Sequence, residues 1–242
     1  LKVSQQLCSQ GAEILVNISA SPFHINRLYE RIEIIKDKAC DLKCYFIYCN
    51  LIGAQDELVF DGQSCIVNPV GDVVTLYPSF KENIQVVDID ESRVVAVPNI
   101  PEEQQIYQAL SLGIGDYFKK TGYAKAVIGL SGGIDSALTA AIAQNALGTE
   151  NVLGIAMPSI FSSKHSIQDA KALAQNLGIQ FEIIPIKEIN QQMLEDLLPV
   201  FNGSEAGLAE ENLQARIRGN ILMTTANKKG ALLLNTGNKT ET

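Results

Sequence analysis

Apolar positions along this chain fall into short blocks, and the order in which strand-like and helix-like blocks alternate marks two parts. In the first part "EILVNIS" (13–19) reads as a buried strand and "INRLYERIEIIKDKAC" (25–40) carries the spacing of an amphipathic helix. "KCYFIYCN" (43–50) reads as a second strand. The pattern then turns hairpin-like: "ELVFDGQSCIVNPVGDVVTLYP" sets Asp61-Gly62 and Gly71-Asp72, two turn dipeptides, between β-rich runs. This mixture predicts a layered α/β sandwich and not a purely parallel sheet.

The second part is more regular. "KAVIGL" reads as a strand, "DSALTAAIAQNALG" as a helix closed by Gly148, "NVLGIAMP" as a strand, "SIQDAKALAQNLG" as a helix and "IQFEIIPI" as a strand. A long helical region covers "EAGLAEENLQARIRGNILMTTANKKG" and leads into the strand "ALLLNT". Strands alternating with helical stretches of about 10–15 residues predict βαβ units, hence a parallel sheet covered on both faces. Between the parts, "ESRVVAVPNIPEEQQIY" carries Pro98 and Pro101 and then an acidic helix start. We therefore expect domains at 1–97 and 103–242 with a linker at 98–102. There is no internal repeat and no low-complexity tract.

Composition sharpens the picture at three points. With 242 residues and 46% hydrophobic content, the chain can bury one large core or two smaller ones, and 19% charged residues exclude a disordered chain. A net charge of −8 and a pI near 4.8 argue against a phosphate-backbone binder, so no nucleic acid partner is expected. The five cysteines, Cys8, Cys40, Cys44, Cys49 and Cys65, form no CxxC, and His24 and His165 lie far apart, so no zinc site is expected. Cys44 and Cys49 read as small core residues of a strand, and the compartment as reducing and cytoplasmic. No apolar run reaches the roughly 20 residues that span a bilayer, so no membrane association is expected. The chain starts "LKVSQQLCSQ", without an initiator Met or a secretory signal, and stops at "NTGNKTET". Both ends read as cut from a longer polypeptide.

The chemistry concentrates where "KAVIGL" hands over to the Ala-rich helix, at Ser131-Gly132-Gly133-Ile134-Asp135-Ser136. In an open α/β sheet this edge, beyond the C-terminal ends of the strands, is where ligands bind. Glycines let backbone N–H groups approach an anion, and the next helix adds the positive end of its dipole. Ser131 and Ser136 add hydroxyl donors, and Asp135 can cap the helix or hold a divalent cation. The run is neither GxxxxGK[ST] nor GxGxxG. Helix capping accounts for one polar residue, not for all of them. Phosphate is the expected ligand.

This run, between strand and helix, resembles the pyrophosphate-binding loop of the PP-loop enzymes, the N-type ATP pyrophosphatases. Such a resemblance implies cleavage of ATP between its α and β phosphates, with a carboxylate or carbonyl oxygen adenylated and AMP then displaced. Two further stretches, "GIAMPSIFSSKHSIQDAKALAQNLGI" and "EENLQARIRGNILM…NKKGALLLNTGNKTE", resemble NAD synthetase in motif words and order over essentially all of 103–242. "GAEILVNISASPFHINR" and "AQDELVFDGQSCIVNPVG" resemble the nitrilase-like glutaminase domain fused to synthetases of the glutamine-dependent type. Together they imply a partial nitrilase-like α/β sandwich followed by a Rossmann-like PP-loop domain, and a ligase that amidates deamido-NAD to NAD with ammonia from glutamine.

By the same resemblance, Gly129, Leu130, Ser131, Gly132, Gly133, Ile134, Asp135, Ser136 and Thr236 would bind ATP. Asn212, Arg216 and Glu241 would bind deamido-NAD, and Asp135 and Glu241 would hold Mg²⁺. Ser21 and Arg27 would hold glutamine. Asn212 and Arg216 lie four apart, on one helical face. Met157 is open between the wall of an adenine pocket and core packing, and His165 reads as helix-terminal surface. The family's glutaminase Glu-Lys-Cys set would fall before residue 1, and none of the five cysteines matches its nucleophile. A homo-oligomer is expected. Two rival readings are a tRNA-modifying PP-loop enzyme, which should carry a basic surface, and a non-catalytic nucleotide sensor that leaves ATP intact.

Overall fold

The computed structural model describes residues 2–89, 93–202 and 207–237. The chain divides into two compact units, Leu1–Tyr117 and Phe118–Thr242.

The first unit opens with α1 (Lys2–Ser9), β1 (Ile14–Ser19), α2 (Arg27–Leu42) and β2 (Tyr45–Asn50), followed by β3 (Ile52–Gln55), β4 (Leu58–Asp61), β5 (Cys65–Val67) and β6 (Val73–Leu76). The helix α3 (Glu102–Thr121) carries the division between the units within it. One sheet has the order β1-β2-β5-β6, with β1 parallel to β2 and the other pairs antiparallel. This is the mixed arrangement expected. Leu28, Ile32, Ile35 and Ala39 recur at helical spacing along α2 and pack with Leu15, Phe46, Tyr48 and Val67 of the sheet. The helix ends where Lys43 turns left-handed and returns its N–H to the Ala39 carbonyl. On the opposite sheet face Val16 pairs with Ile47 and Ile18 with Cys49, and Val16 and Ile18 are 63% and 86% exposed.

Three local readings change. Asp61-Gly62 is not a hairpin turn, because β4 pairs with β3 and β5 with β2. The hairpin is β3–β4, turning at Asp56-Glu57 with Asp56 at φ 51°. Its first strand, "IGAQ", is too short and too mixed to stand out in the hydrophobic pattern. Cys49 is exposed on the open face, whereas Cys44 and Cys65 are buried. By contrast Gly71-Asp72 does close the β5–β6 turn: Asn68 Oδ1 accepts N–H bonds from Val70 and Asp72 at 3.1 and 2.8 Å.

The second unit contains β7 (Ala126–Gly129), α4 (Ile134–Leu147), β8 (Val152–Ala156), α5 (Lys164–Leu177), β9 (Gln180–Ile183), α6 (Lys187–Phe201), α7 (Leu208–Lys229) and β10 (Leu232–Leu234). Its sheet has the order β10-β7-β8-β9 and every pair is parallel. Side chains alternate between two cores. Ile128, Val152 and Ala156 pack with Ala140 and Ala143 of α4 and Ala170 and Ala174 of α5. Val127, Leu153 and Ile155 pack with Ile217 and Ala226 of α7. Both faces are thus covered, as a parallel sheet requires. Gly148 and Gly178 close α4 and α5. The helix α6 was not anticipated: Asn190 is its one buried residue and Pro199 lies within it, so it shows little core-facing stripe.

Candidate active site

Because the strands are parallel, β7, β8 and β10 all end at one edge of the sheet, and a cavity of about 430 Å³ opens there. Gly129, Leu130 and Ser131 line it from the end of β7, Ala156, Met157 and Pro158 from β8, Ser162, Ser166 and Ile167 from the β8–α5 connection and α5, and Thr236 from beyond β10. Arg218 and Leu222 come from α7. Leu130 is buried, and its N–H reaches the Ile155 carbonyl at 2.8 Å, which fixes the point where the loop leaves the sheet.

The glycines are placed for close approach. Gly132 sits at φ +84°, where a Cβ would stand 2.4 Å from the Ser166 carbonyl oxygen and 2.8 Å from its Cα. Only a residue without a side chain lets the loop lie on the first turn of α5. Gly133 is the N-cap of α4 and has no side chain with which to cap it. The first-turn amides, at the positive end of the helix dipole, are left for a ligand or solvent.

The two serines of the loop bond within it. Ser136 is buried, donates to the Gly133 carbonyl at 3.0 Å and accepts the Ser131 N–H at 3.3 Å. Ser131 Oγ accepts the Gly133 N–H at 3.1 Å and lies 3.2 Å from Ser136 Oγ. Both hydroxyls hold the loop in shape. Asp135 is not the cap, since Gly133 takes that position. The Asp135 side chain is exposed in the first turn of α4 and has no hydrogen-bond or ion-pair partner among the described residues. Ile134 is 78% exposed.

Not all the expected residues meet in this cavity. Asn212 and Arg216 are exposed on α7, where Arg216 Nη1 donates to the Asn212 carbonyl at 3.4 Å, and neither lines the cavity. Two residues on, about 200° around the helix, Arg218 does. Arg218 Nε donates to the Met157 carbonyl at 3.3 Å, and partial burial lowers the guanidinium's pKa. Sequence reading passed over Arg218, although "ARIR" offered two arginines facing opposite ways. Ser162 and Ser166 were missed as well. Their signal was the serine run before α5, where Ser163 caps the helix by accepting the Ser166 N–H at 3.0 Å. Glu241 lies outside the described residues. His165 is exposed in the first turn of α5.

In the first unit Ser21 and Arg27 do come together, with Arg27 Nε 3.4 Å from Ser21 Oγ and Arg27 Nη1 3.0 Å from Glu30. Asn50 grips Ser21 at both ends: its Oδ1 accepts the Ser21 N–H at 2.8 Å and its Nδ2 donates to the Ser21 carbonyl at 3.3 Å. Asn50 Nδ2 also reaches Asp61, whose carboxylate pairs with Arg31 at 3.0 Å in full burial. Tyr48 lies beneath that guanidinium, 5.3 Å from ring centre to Cζ. Asp61, read from sequence as a turn residue, is the buried centre of this network.

A model of the NAD synthase family matches residues 106–242, more than half the chain. The chain belongs to the NAD synthase family. A carbon-nitrogen hydrolase model matches residues 3–99. The chain is 49% identical to the glutamine-dependent NAD(+) synthetase of a Synechocystis strain and 42% identical to that of Aquifex aeolicus, over 97% and 99% of its own length. It covers 43% and 49% of those two proteins, so it spans about half the length of the curated relatives it matches. The solved glutamine-dependent NAD+ synthetase of Acinetobacter baumannii, in complex with adenosine diphosphate, superposes with a TM-score of 0.89 at 38% identity, covering 99% of this chain and 47% of that one. Both fold types read from the sequence, nitrilase-like and PP-loop, are the ones these matches carry. Among the described residues no helix is long and apolar enough to cross a membrane.

Proposed function

We propose that this chain works in the ATP-dependent amidation of deamido-NAD to NAD, with AMP and pyrophosphate as products and glutamine as the ammonia donor. The observation that carries the reading is the glycine loop at 131–133, laid against α5 and opening onto a cavity shared with Thr236, in a chain of the NAD synthase family. Relatives named glutamine-dependent NAD(+) synthetases, one of them solved with ADP, support it. The functional domains are taken as 1–97 and 103–242, joined through 98–102.

In this reading a nicotinate carboxylate oxygen attacks the α-phosphorus of ATP, and the bond to pyrophosphate breaks. The Gly132 amide and the first-turn amides at 134–136 hold the leaving pyrophosphate, whose charge grows in the transition state. Ammonia then attacks the acyl carbon, AMP leaves, and the amide remains. No protein nucleophile is required, so positioning and electrostatics supply the rate. Thr236 and Met157 border the nucleotide.

The partner-free carboxylate of Asp135 beside the loop would hold Mg²⁺, a hard cation that prefers oxygen ligands. When bound, Mg²⁺ supplies charge neutralisation at the phosphates. We assign Glu241 to the same ion and to deamido-NAD, Asn212 and Arg216 to deamido-NAD, and Ser21 and Arg27 to glutamine. Arg27's fork suits the α-carboxylate of glutamine. A cytoplasmic homo-oligomer is part of the proposal.

The test is to incubate the protein with Mg-ATP and deamido-NAD, with glutamine or ammonium, and to quantify NAD, AMP and pyrophosphate. Equal yields of the three, lost in Asp135→Ala, are expected. ATP bound but left intact would replace the synthetase by a nucleotide sensor. Pyrophosphate release with no NAD would point to other PP-loop chemistry.

A further inference from the structure

Among the described residues, the lining of the cavity at the sheet edge has one cationic side chain, Arg218, and no acidic one. The loop offers backbone amides, none of them charged. Arg218 is half-buried, and its Nε is fixed by the Met157 carbonyl at 3.3 Å, which orients the planar guanidinium. The two Nη groups have no partner among the described residues. A guanidinium presents five donors in a rigid fork, and such a fork left unused beside a cavity calls for an anion. Desolvation without a counter-charge already weakens the hold on its proton. Arg218 is the one cationic side chain among the described lining residues that a nucleotide entering this cavity would meet.

We infer that Arg218 contacts the α-phosphate of the bound nucleotide, facing the loop that takes the β and γ phosphates. The inference rests on the synthetase reading and extends it to a residue on α7. It divides the labour in the reaction: amides follow the departing pyrophosphate, while Arg218 stays with the phosphorus that is attacked and then leaves as AMP. Arg216, two positions away and outside the cavity, has no part in this contact.

AMP and adenosine differ by this one phosphate, so their binding isolates the contact. Titration calorimetry on the protein and on Arg218→Gln and Arg218→Lys, with ATP, AMP, adenosine and pyrophosphate, tests it. In Arg218→Gln, ATP and AMP are expected to bind roughly 10- to 100-fold more weakly, the range for a lost charge-assisted hydrogen bond. Adenosine and pyrophosphate stay within twofold of wild type, and Arg218→Lys recovers part of the AMP affinity. Adenosine weakened as much as AMP would reduce Arg218 to a wall of the pocket and overturn the inference. So would pyrophosphate weakened with AMP unchanged. Wild-type protein that binds neither ATP nor AMP would overturn the synthetase reading itself, and this contact with it.

Discussion

Replacing Gly132 by alanine puts a methyl group where there is no room and no conformational allowance. The built Cβ stands 2.4, 2.8 and 2.9 Å from the carbonyl oxygen, Cα and carbonyl carbon of Ser166, all of them backbone atoms in the first turn of α5. A side chain could rotate away from such a contact, but a helix backbone has to be displaced. The residue also lies at φ +84°, outside the regions an L-residue prefers. Left-handed strain of about 1–2 kcal/mol and overpacking of about 1–3 kcal/mol together give a destabilisation of about 2–5 kcal/mol. At Gly133 the neighbouring substitution meets only Ser131 Oγ at 3.3 Å, a rotatable hydroxyl, and φ is −92°. Gly133→Ala should therefore cost less than about 1 kcal/mol, as ordinary surface-loop changes do. Urea unfolding of the two variants beside wild type measures the difference. On the proposed function, Gly132→Ala should also lose NAD formation, because the amides proposed to face the phosphates move with the loop. Equal denaturation midpoints for the two variants would refute the packing argument.

Three further outcomes follow from other sites. Asp61→Ala leaves Arg31 charged and buried without its partner and should destabilise the first unit by about 3–5 kcal/mol, with the double change Arg31→Met, Asp61→Leu recovering part of the loss in urea titrations. Gly154→Ala drives a methyl to 2.4 Å from Leu130 Cδ1, so it should lower the melting temperature by several degrees, and adding Leu130→Ala should restore some of it. Iodoacetamide with mass spectrometry should label Cys40 and Cys49 first, since both are exposed, whereas burial pushes Cys44 up to about 11 and Cys65 up to about 12. For Cys65 the folded protein holds its proton more tightly than the unfolded chain, so the stability from its burial is complete below pH 9 and is lost as pH rises from 9 to about 12. A Cys65→Ala variant should lose less stability over that alkaline range.

Much of the second unit was legible because its signals are local. A strand, two glycines and an Ala-rich helix in sequence dictate a parallel strand handing over to a helix N-terminus, and the loop lies there. What the spacing could not show is which partners the polar groups take. Ser131 and Ser136 read as ligand donors, yet in the fold they bond each other and the loop. The choice between Arg216 and Arg218 turns on the rotation of α7, which is set by Ile217 and Ala226 packing on the sheet. In the first unit β3, too short for its own pattern, pairs with β4 and carries Asp61 away from a turn and into the core, where Arg31 meets it. That contact spans 30 residues and has no periodic trace. The helix α6 escaped notice for the opposite reason: it is nearly all exposed, and nothing compels an apolar stripe.

The most direct test of the central claim follows one oxygen atom. Deamido-NAD labelled with ¹⁸O in its nicotinate carboxylate is incubated with the protein, Mg-ATP and ammonium, and AMP, pyrophosphate and NAD are examined by mass spectrometry. Attack of the carboxylate on the α-phosphorus predicts one labelled oxygen in AMP, one retained in the new amide and none in pyrophosphate. Label in pyrophosphate, or AMP formed without label, would contradict adenylation in the cavity between the glycine loop and α7.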